Sequence, residues 1–318
     1  MDTRRLKIFF RVYMHKLNYG PSGRRPVTHP MPEAAVPAIT RRDRVWINLL
    51  LFILTFASAT RAQAPGTESL TANIFTGLQY SCTLMAILSF HEFGHYFAAK
   101  RFGVNATLPF FIPFPFFDSP VGTLGAVIKT RSPIPHRRAL FYIGVMGPLP
   151  GFIISLAAVV TGIYLSQVQP LVPFEDGTIL SFGDSILFSS IIRMVHGTIA
   201  PGSDLFLHPV AFAGWIGFLL TSINMMKVGQ LDGGHILHAL IGDRQRYAGW
   251  IFLAALVVLS FYWPGWILWV VIILLLVMVG HPHVHDTGEE LSITEKIMGW
   301  SCMVILVLTF IPVPVTVL

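Results

Sequence analysis

Charged residues are scarce in this chain. They make up 12% of its 318 residues, whereas soluble domains carry about 25%. Hydrophobic residues account for 53%, and the mean hydropathy is +0.65. Several apolar runs reach the length of about 17–25 residues that a helix needs to cross a hydrocarbon core. This excludes an ordinary soluble fold. Because the runs are too long for barrel strands, the sequence predicts an all-α polytopic membrane protein.

Cysteine is almost absent as well. The chain has two cysteines, Cys82 and Cys302, and they lie in separate apolar runs. So few thiols, placed so far apart, exclude a disulfide framework and a cysteine-type zinc site. We expect both thiols to be buried and inert.

Basic charge is concentrated at the N-terminus. Residues 1–44 hold ten Lys or Arg and three acids, so this segment carries +7 and the remainder of the chain −1. Its prolines predict an irregular segment, apart from a short amphipathic helix over Leu6–Leu17. A nucleic-acid-binding arm has a similar charge, but beside a membrane span a topology signal is the simpler interpretation. We therefore expect a basic cytoplasmic tail that contacts lipid and no nucleic acid.

Residues 45–318 are predicted to form a membrane-embedded domain of about six to seven helical spans. A sequence resembling a signal-peptidase site, Ala57-Ser58-Ala59, follows the first apolar core, but the long leader favours a retained helix. A short amphipathic helix is expected over Ile186–Met194. The predicted spans are Trp46–Ala59, Ile74–Lys100, Ala139–Leu165, Val210–Ile241, Tyr247–Tyr262, Trp266–Val279 and a last one from Trp300.

A proline-rich apolar segment follows the second span. Leu108–Phe117 has three prolines within seven residues, which forbids a helix, yet it is too apolar for an ordinary exposed loop. Together with Val121–Lys129 it predicts an extended element or β-hairpin that dips into the membrane beside the second span. An apolar surface loop is the alternative interpretation.

The distribution of Lys and Arg among the loops predicts the orientation. One side has 19 of these residues and the other only two, Arg61 and Arg193. Cytoplasmic loops carry the excess of basic residues, so the richer side is predicted to be cytoplasmic. The richer side comprises residues 1–44, 100–138, 243–246 and 281–296.

The second span contains an H-E-x-x-H motif, His91-Glu92-Phe93-Gly94-His95. On a helix the two histidines lie one turn apart on one face, where both can bind one ion, and Glu92 lies close to a water on that ion. Ionisable groups within membrane spans are functional candidates, although two unrelated histidines near a membrane edge would look the same. The pattern favours metal-assisted hydrolysis with zinc as the metal.

A hydrolytic zinc site needs a third protein ligand and an open position. The best candidate is Asp232, in Leu231-Asp232-Gly233-Gly234-His235 of the fourth span, because an unpaired aspartate at that depth costs about 3 kcal/mol. The expected depths of His95 and Asp232 differ by less than about 8 Å, which helix tilt can absorb. His235 is a weaker candidate, either for orienting a ligand or for packing.

The two motifs together resemble the site-2 protease family of intramembrane zinc metalloproteases. The segment Asn224–Gly233 is similar to that family's N-x-x-P-x-x-x-L-D-G element. It departs from the pattern at Lys227, which stands where the family commonly has proline and adds a cation near the metal. The resemblance covers roughly residues 75–285. It is closest to the compact forms without a PDZ or CBS domain, including the plant plastid and cyanobacterial type.

The resemblance implies a role for each matching residue. His91, His95 and Asp232 would bind one zinc ion per chain, and Glu92 would be the general base that passes a proton from zinc-activated water to the leaving amine. Asn224 would steady the substrate backbone or the oxyanion. The implied function is regulated intramembrane proteolysis, the cleavage of transmembrane segments of membrane-protein substrates. The implied location is a multi-pass position in the bilayer of a prokaryotic inner membrane, with the N-terminus and active-site end cytoplasmic.

Two other functions fit parts of the pattern. Membrane histidines and acids, with His281, His283 and His285 in a polar loop, would suit a metal-ion transporter. A transporter predicts polar groups along several helices, but the first, fifth, sixth and seventh spans are almost free of them. A catalytically dead scaffold is less favoured because the motif glutamate is present. Nothing in the sequence predicts the oligomeric state.

Overall fold

Helices dominate the computed structural model. It describes residues 44–64, 66, 69–114, 119–170, 180–226, 231–279 and 290–317. Within these residues lie ten α-helices: α1 Val45–Ala62, α2 Leu70–Arg101, α3 Arg137–Val145, α4 Pro148–Leu165, α5 Ile186–His196, α6 Pro209–Asn224, α7 Asp232–Ile241, α8 Gln245–Leu259, α9 Gly265–Val279 and α10 Ile293–Thr309.

Six short strands form three antiparallel two-stranded sheets among the described residues. The first pair is the predicted hairpin after the second span, whereas the other two pairs were not predicted. The pairs are β1 Phe110–Pro113 with β2 Thr123–Val127, β3 Gln167–Pro170 with β5 Ser203–Phe206, and β4 Leu180–Phe182 with β6 Val315–Val317.

Two described helical segments are long and apolar enough to cross a membrane. They are Val45–Ala62, with a mean hydropathy of 1.6, and Arg137–Leu165, with 2.0. Several shorter helices are also apolar, among them Pro209–Asn224 and Gly265–Leu275. The mostly helical, apolar character is therefore confirmed, while the number of spans and the depth of the hairpin stay predictions.

Caps explain where several helices begin. The Ser69 hydroxyl accepts a hydrogen bond from the N–H of Ala72 at the start of α2. A capping box of Ser292 and Glu295 starts α10 at Ile293, seven residues before the predicted start of the last span. The hydrophobic run alone could not show this start because the first turn of α10 is polar.

Two predicted spans are each split into two helices. Pro148 cannot continue a hydrogen-bonded helix but is favoured in a first turn, so the third span divides into α3 and α4. The fourth divides into α6 and α7, and residues 227–230, with Lys227, lie outside the described residues. Gly233 packs so closely on the end of α6 that an added Cβ would overlap the carbonyl of Met225.

Two buried clusters fix the helices that carry the motifs. In the first, α2 packs against α4 and α6, and its largest buried side chains include Tyr80, Phe212, Trp215 and Phe218. In the second, α3 packs against α7 and α10 through residues such as Phe141, Ile236 and Met303. The first cluster therefore supports the H-E-x-x-H helix, and the second supports the helix that begins at Asp232.

The cysteine prediction was half wrong. Cys302 is buried, but Cys82 is exposed on the surface of α2. An apolar run does not show which of its residues face neighbouring helices and which face outward. The N-terminal tail, residues 1–43, lies outside the described residues, so its structure and role stay predictions.

Candidate metal centre

The two motif histidines lie one turn apart on the buried face of α2. His91 and His95 are each 6% exposed, and their Nε2 atoms are 3.1 Å apart. Both rings therefore present a ring nitrogen to the same point, as the i, i+4 spacing predicts. Glu92, between them in sequence, is also 6% exposed.

Asp232 brings a carboxylate to the same point from α7. Its Oδ2 atom lies 3.3 Å from Nε2 of His91 and 3.2 Å from Nε2 of His95. The residue stands at the first position of α7. Residues 141 positions apart in the chain thus meet in one cluster, and within the described residues this is a group that could hold a metal ion.

The spacing of these three atoms fits zinc. Two ligands bound to zinc at about 2.0–2.1 Å with a tetrahedral angle are separated by about 3.3–3.4 Å. The three corresponding separations in the structure are 3.1, 3.3 and 3.2 Å, close to this spacing. Two imidazole nitrogens and a carboxylate are also the donor types of hydrolytic zinc sites, and three protein ligands leave one position open.

The backbone of α3 orients the second histidine. Nδ1 of His95 lies 2.7 Å from the carbonyl oxygen of Ile143. A carbonyl only accepts hydrogen bonds, so Nδ1 is the protonated nitrogen and donates, which leaves the lone pair of Nε2 for a cation. The Ile143 carbonyl is one of the last four of α3. The last four carbonyls of a helix receive no hydrogen bond from an N–H of the same helix, so they can accept one from a side chain.

Glycines allow α2 to approach the junction of α3 and α4. A Cβ on Gly94 would overlap the carbonyl oxygen of Met146, and one on Gly147 would overlap the imidazole of His95. A Cβ on Gly151 would come within 3.2 Å of His91. Gly94 in the H-E-x-x-H motif, Gly147 and Gly151 thus allow close helix packing.

A cavity of about 460 Å³ opens beside the cluster. The end of β2 forms one wall, and Ile128, the next residue, lines the cavity together with Glu92. The segment after β2 forms a second wall. Besides His91, Glu92, His95, Asp232 and Asn224, the lining residues are Ala126, Val127, Ile128, Thr130, Ser132, Pro133, Ile134, Ile143, Leu231 and His235.

Asn224, the last residue of α6, lies at the edge of this cavity. Its amide nitrogen is 3.2 Å from Nε2 of His91. An amide at this position can donate to a substrate carbonyl in the cavity, but it also contacts a candidate metal ligand directly. The family resemblance implied only the contact with substrate and not the contact with His91.

The structure thus brings together all five residues singled out from the sequence and adds groups that the sequence did not show. The Ile143 carbonyl and the segment from Thr130 to Ile134 carry no motif, because a backbone carbonyl and a loop of mixed composition leave no residue-type signal. His235 lines the cavity. His281, His283 and His285 lie outside the described residues.

Several known proteins with similar sequences are named as zinc metalloproteases. The chain is 30% identical over 239 residues to probable zinc metalloprotease EGY1, chloroplastic, of Oryza sativa subsp. japonica, covering 66% of this chain and 40% of that protein. It is 28% identical over 238 residues to EGY1 of Arabidopsis thaliana, covering 66% and 42%. It is 27% identical over 169 residues to EGY2 of Arabidopsis thaliana, covering 53% and 29%. The chain thus spans less than half the length of these relatives.

No solved structure gives a significant match to the chain. The family model described as Peptidase family M50 matches residues 79–261, more than half of the chain. The matched region includes His91, Glu92, His95, Asn224 and Asp232. With this match, the chain belongs to peptidase family M50, the site-2 protease family.

Proposed function

We propose that this chain is an intramembrane zinc metalloprotease that hydrolyses peptide bonds in transmembrane segments of membrane proteins. The observation that carries the proposal is the convergence of His91 Nε2, His95 Nε2 and Asp232 Oδ2 to within 3.1–3.3 Å of one another. The names of the relatives and the family match support the same activity. They do not favour the alternative, a metal-ion transporter.

Each site residue has a role in this proposal. His91, His95 and Asp232 would hold one zinc ion. When bound, zinc polarises a carbonyl and lowers the pKa of a water ligand to about 7. Glu92 takes a proton from the attacking water and returns it to the leaving amine, which is the work of a general base and acid. Asn224 donates its amide N–H to the substrate backbone beside His91.

The hairpin supplies a binding surface for an extended substrate. Within the described residues β2 pairs only with β1, so its second edge is open, and Ala126 to Ile128 line the cavity. A helical substrate hides its peptide bonds, so it must unwind before attack. Addition of the unwound segment to the open edge of β2 would hold it extended next to Glu92.

Contacts from α1 favour β2 over β1 as the substrate edge. The Asn48 side-chain amide donates to the carbonyls of Leu108 and Pro109, just before β1, at 3.2 and 2.8 Å. Gly122, between the strands, packs against Ala59 of α1. The β1 side of the hairpin is thus covered by the protein's own helix.

The proposal includes an integral, multi-pass arrangement of six to seven spans with the hairpin at membrane depth. It puts residues 1–44 and the motif-bearing end of α2 on the cytoplasmic side of a prokaryotic inner membrane, supported by the 19 basic residues on that side. The relatives above are named chloroplastic. Membrane fractionation, with cysteine labelling of single-cysteine variants, tests both the compartment and the orientation.

Two variants test the activity. In purified full-length protein, bound zinc and cleavage of a transmembrane peptide are measured for Glu92→Gln and Asp232→Ala. Glu92→Gln is expected to keep zinc and to lose about 10²–10⁴-fold in cleavage rate, because it removes only the proton transfer. Asp232→Ala is expected to lose both. Cleavage that survives Glu92→Gln would contradict the mechanism, and a wild-type protein without bound zinc would contradict the function.

A further inference from the structure

The helix that carries the candidate ligand Asp232 is short, and Asp232 is its first residue. α7 runs from Asp232 to Ile241, ten residues. At 1.5 Å per residue this is a length of about 15 Å. Such a helix moves as a rigid rod, so the group that holds its far end also sets the position of Asp232.

Arg137 holds that far end. Its Nε atom donates to the carbonyl oxygen of Ala239 at 2.7 Å, and its Nη2 atom donates to that of Leu240 at 3.3 Å. The last carbonyls of a helix have no partner inside the helix, and a cation there also complements the helix dipole. The planar guanidinium binds both carbonyls at once, which fixes the position of the helix end more tightly than one donor would.

The same helix that carries Arg137 contacts the first turn of α7. A Cβ on Gly144 would come within 3.1 Å of the His235 Cβ and 3.2 Å of the Asp232 carbonyl. Arg137 and Gly144 lie two turns apart at opposite ends of α3, so α3 and α7 pack antiparallel along the length of α7. Next to Gly144, Ile143 accepts the hydrogen bond from His95.

α3 therefore contacts both helices of the candidate metal centre: α2, which carries His91 and His95, and α7, which carries Asp232. We propose that Arg137 is a positioning residue that sets the distance from Asp232 to His91 and His95 by holding α7 against α3. The inference rests on the proposed zinc site. It adds a residue that contacts neither the zinc nor the substrate.

The adjacent arginine offers a matched control. Arg138 has the same charge and the same place at the start of α3, but its guanidinium pairs with Glu295 of α10. Arg137→Ala and Arg138→Ala thus remove the same charge from neighbouring positions. Only Arg137→Ala removes the contact with α7.

The test uses full-length protein in detergent. The zinc dissociation constant is measured by competition with a chromophoric chelator, and the visible absorption spectrum is recorded with saturating Co²⁺ in place of zinc. Arg137→Ala is expected to weaken zinc binding by about 10–100-fold, the usual effect of losing a group that orients a ligand. It should also shift the Co²⁺ spectrum, which reports ligand geometry. Arg138→Ala should leave both close to wild type.

A general loss of stability would lower the melting temperature but leave the Co²⁺ spectrum of the folded protein unchanged, and that result would overturn the inference.

If Arg137→Ala does not fold, Gly144→Ala tests the same packing from the other end of α3. Its Cβ should push α7 outward and weaken zinc binding by about tenfold; unaltered binding would count against the positioning role. A wild-type protein that binds no zinc refutes the proposed function, whereas normal zinc binding in Arg137→Ala refutes only the role of Arg137.

Discussion

The Nδ1 atom of His95 donates a hydrogen bond to the carbonyl oxygen of Ile143 across 2.7 Å. This bond joins the H-E-x-x-H helix α2 to the last turn of α3, immediately before the break at Gly147. Groups that hold the second nitrogen of a metal-binding histidine fix its tautomer and ring orientation. The bond is possible only because α2 and the α3–α4 junction approach each other through glycines.

Gly147→Ala is expected to damage the metal centre directly. The new Cβ would overlap the imidazole of His95, so the ring must rotate or α4 must move away. We expect zinc binding to weaken by about 10–100-fold and cleavage to fall with it. Zinc titration of the purified variant measures this.

Gly162→Ala is the control for that prediction. Gly162 lies in the same helix α4 but far from His91 and His95, and its Cβ would overlap the backbone of Ala211 in α6. Overpacking there should lower the free energy of unfolding by about 1–3 kcal/mol. Its folded fraction should bind zinc normally. Equal zinc affinities for the two variants would contradict the role given to Gly147.

Val127→Pro tests the open edge of β2. Proline removes a backbone N–H and is poorly tolerated in a paired strand, so the substrate should no longer be held extended beside Glu92. Cleavage is expected to fall by roughly 10²-fold, the cost of a misplaced substrate, while bound zinc stays at the wild-type level. Val168→Pro, the same exchange in the exposed strand β3, should leave cleavage near normal. Unchanged cleavage by Val127→Pro would exclude strand addition at this edge.

Removal of zinc should abolish the proposed cleavage reversibly and lower the stability of the protein. A ligand that binds only the folded state stabilises it by about 2.7 kcal/mol at a free concentration 100 times its dissociation constant. We therefore expect a chelator to abolish cleavage and lower the melting temperature, and added zinc to restore both. Asp232→Ala should melt at one temperature with or without zinc. A zinc-dependent shift in that variant would show that the ion binds elsewhere.

Glu295→Ala should destabilise the protein without changing the metal centre. Glu295 is buried, pairs with Arg138 and accepts from the backbone N–H of Ser292 at 2.7 Å in the capping box of α10. Loss of a cap costs about 0.5–2 kcal/mol, and a buried charge-assisted bond adds to that. Thermal unfolding measures the loss. Zinc affinity of the folded protein should be normal, and a large decrease would instead connect α10 to the metal centre.

Much of the local structure follows from the sequence because its causes are local. Apolar runs gave most of the described helices to within a few residues, and the i, i+4 spacing placed His91 and His95 on one face. Three prolines excluded a helix over Leu108–Phe117, and β1 lies within that segment. The start of α10 was wrong by seven residues because its capping box lies in a polar turn.

The sequence by itself determined which residues had the chemistry for a zinc site: His91, Glu92 and His95 on one helix and Asp232 on another. Only the tertiary structure decided that Asp232 comes within 3.3 Å of the histidines, that the Ile143 carbonyl orients His95, and that Arg137 holds α7. It also decided that β4 pairs with β6, more than 130 residues later. The physical reason is the same in each case. Spacing along a helix is set by its own hydrogen bonds, whereas an approach between distant segments depends on how small side chains, breaks and caps let whole helices pack.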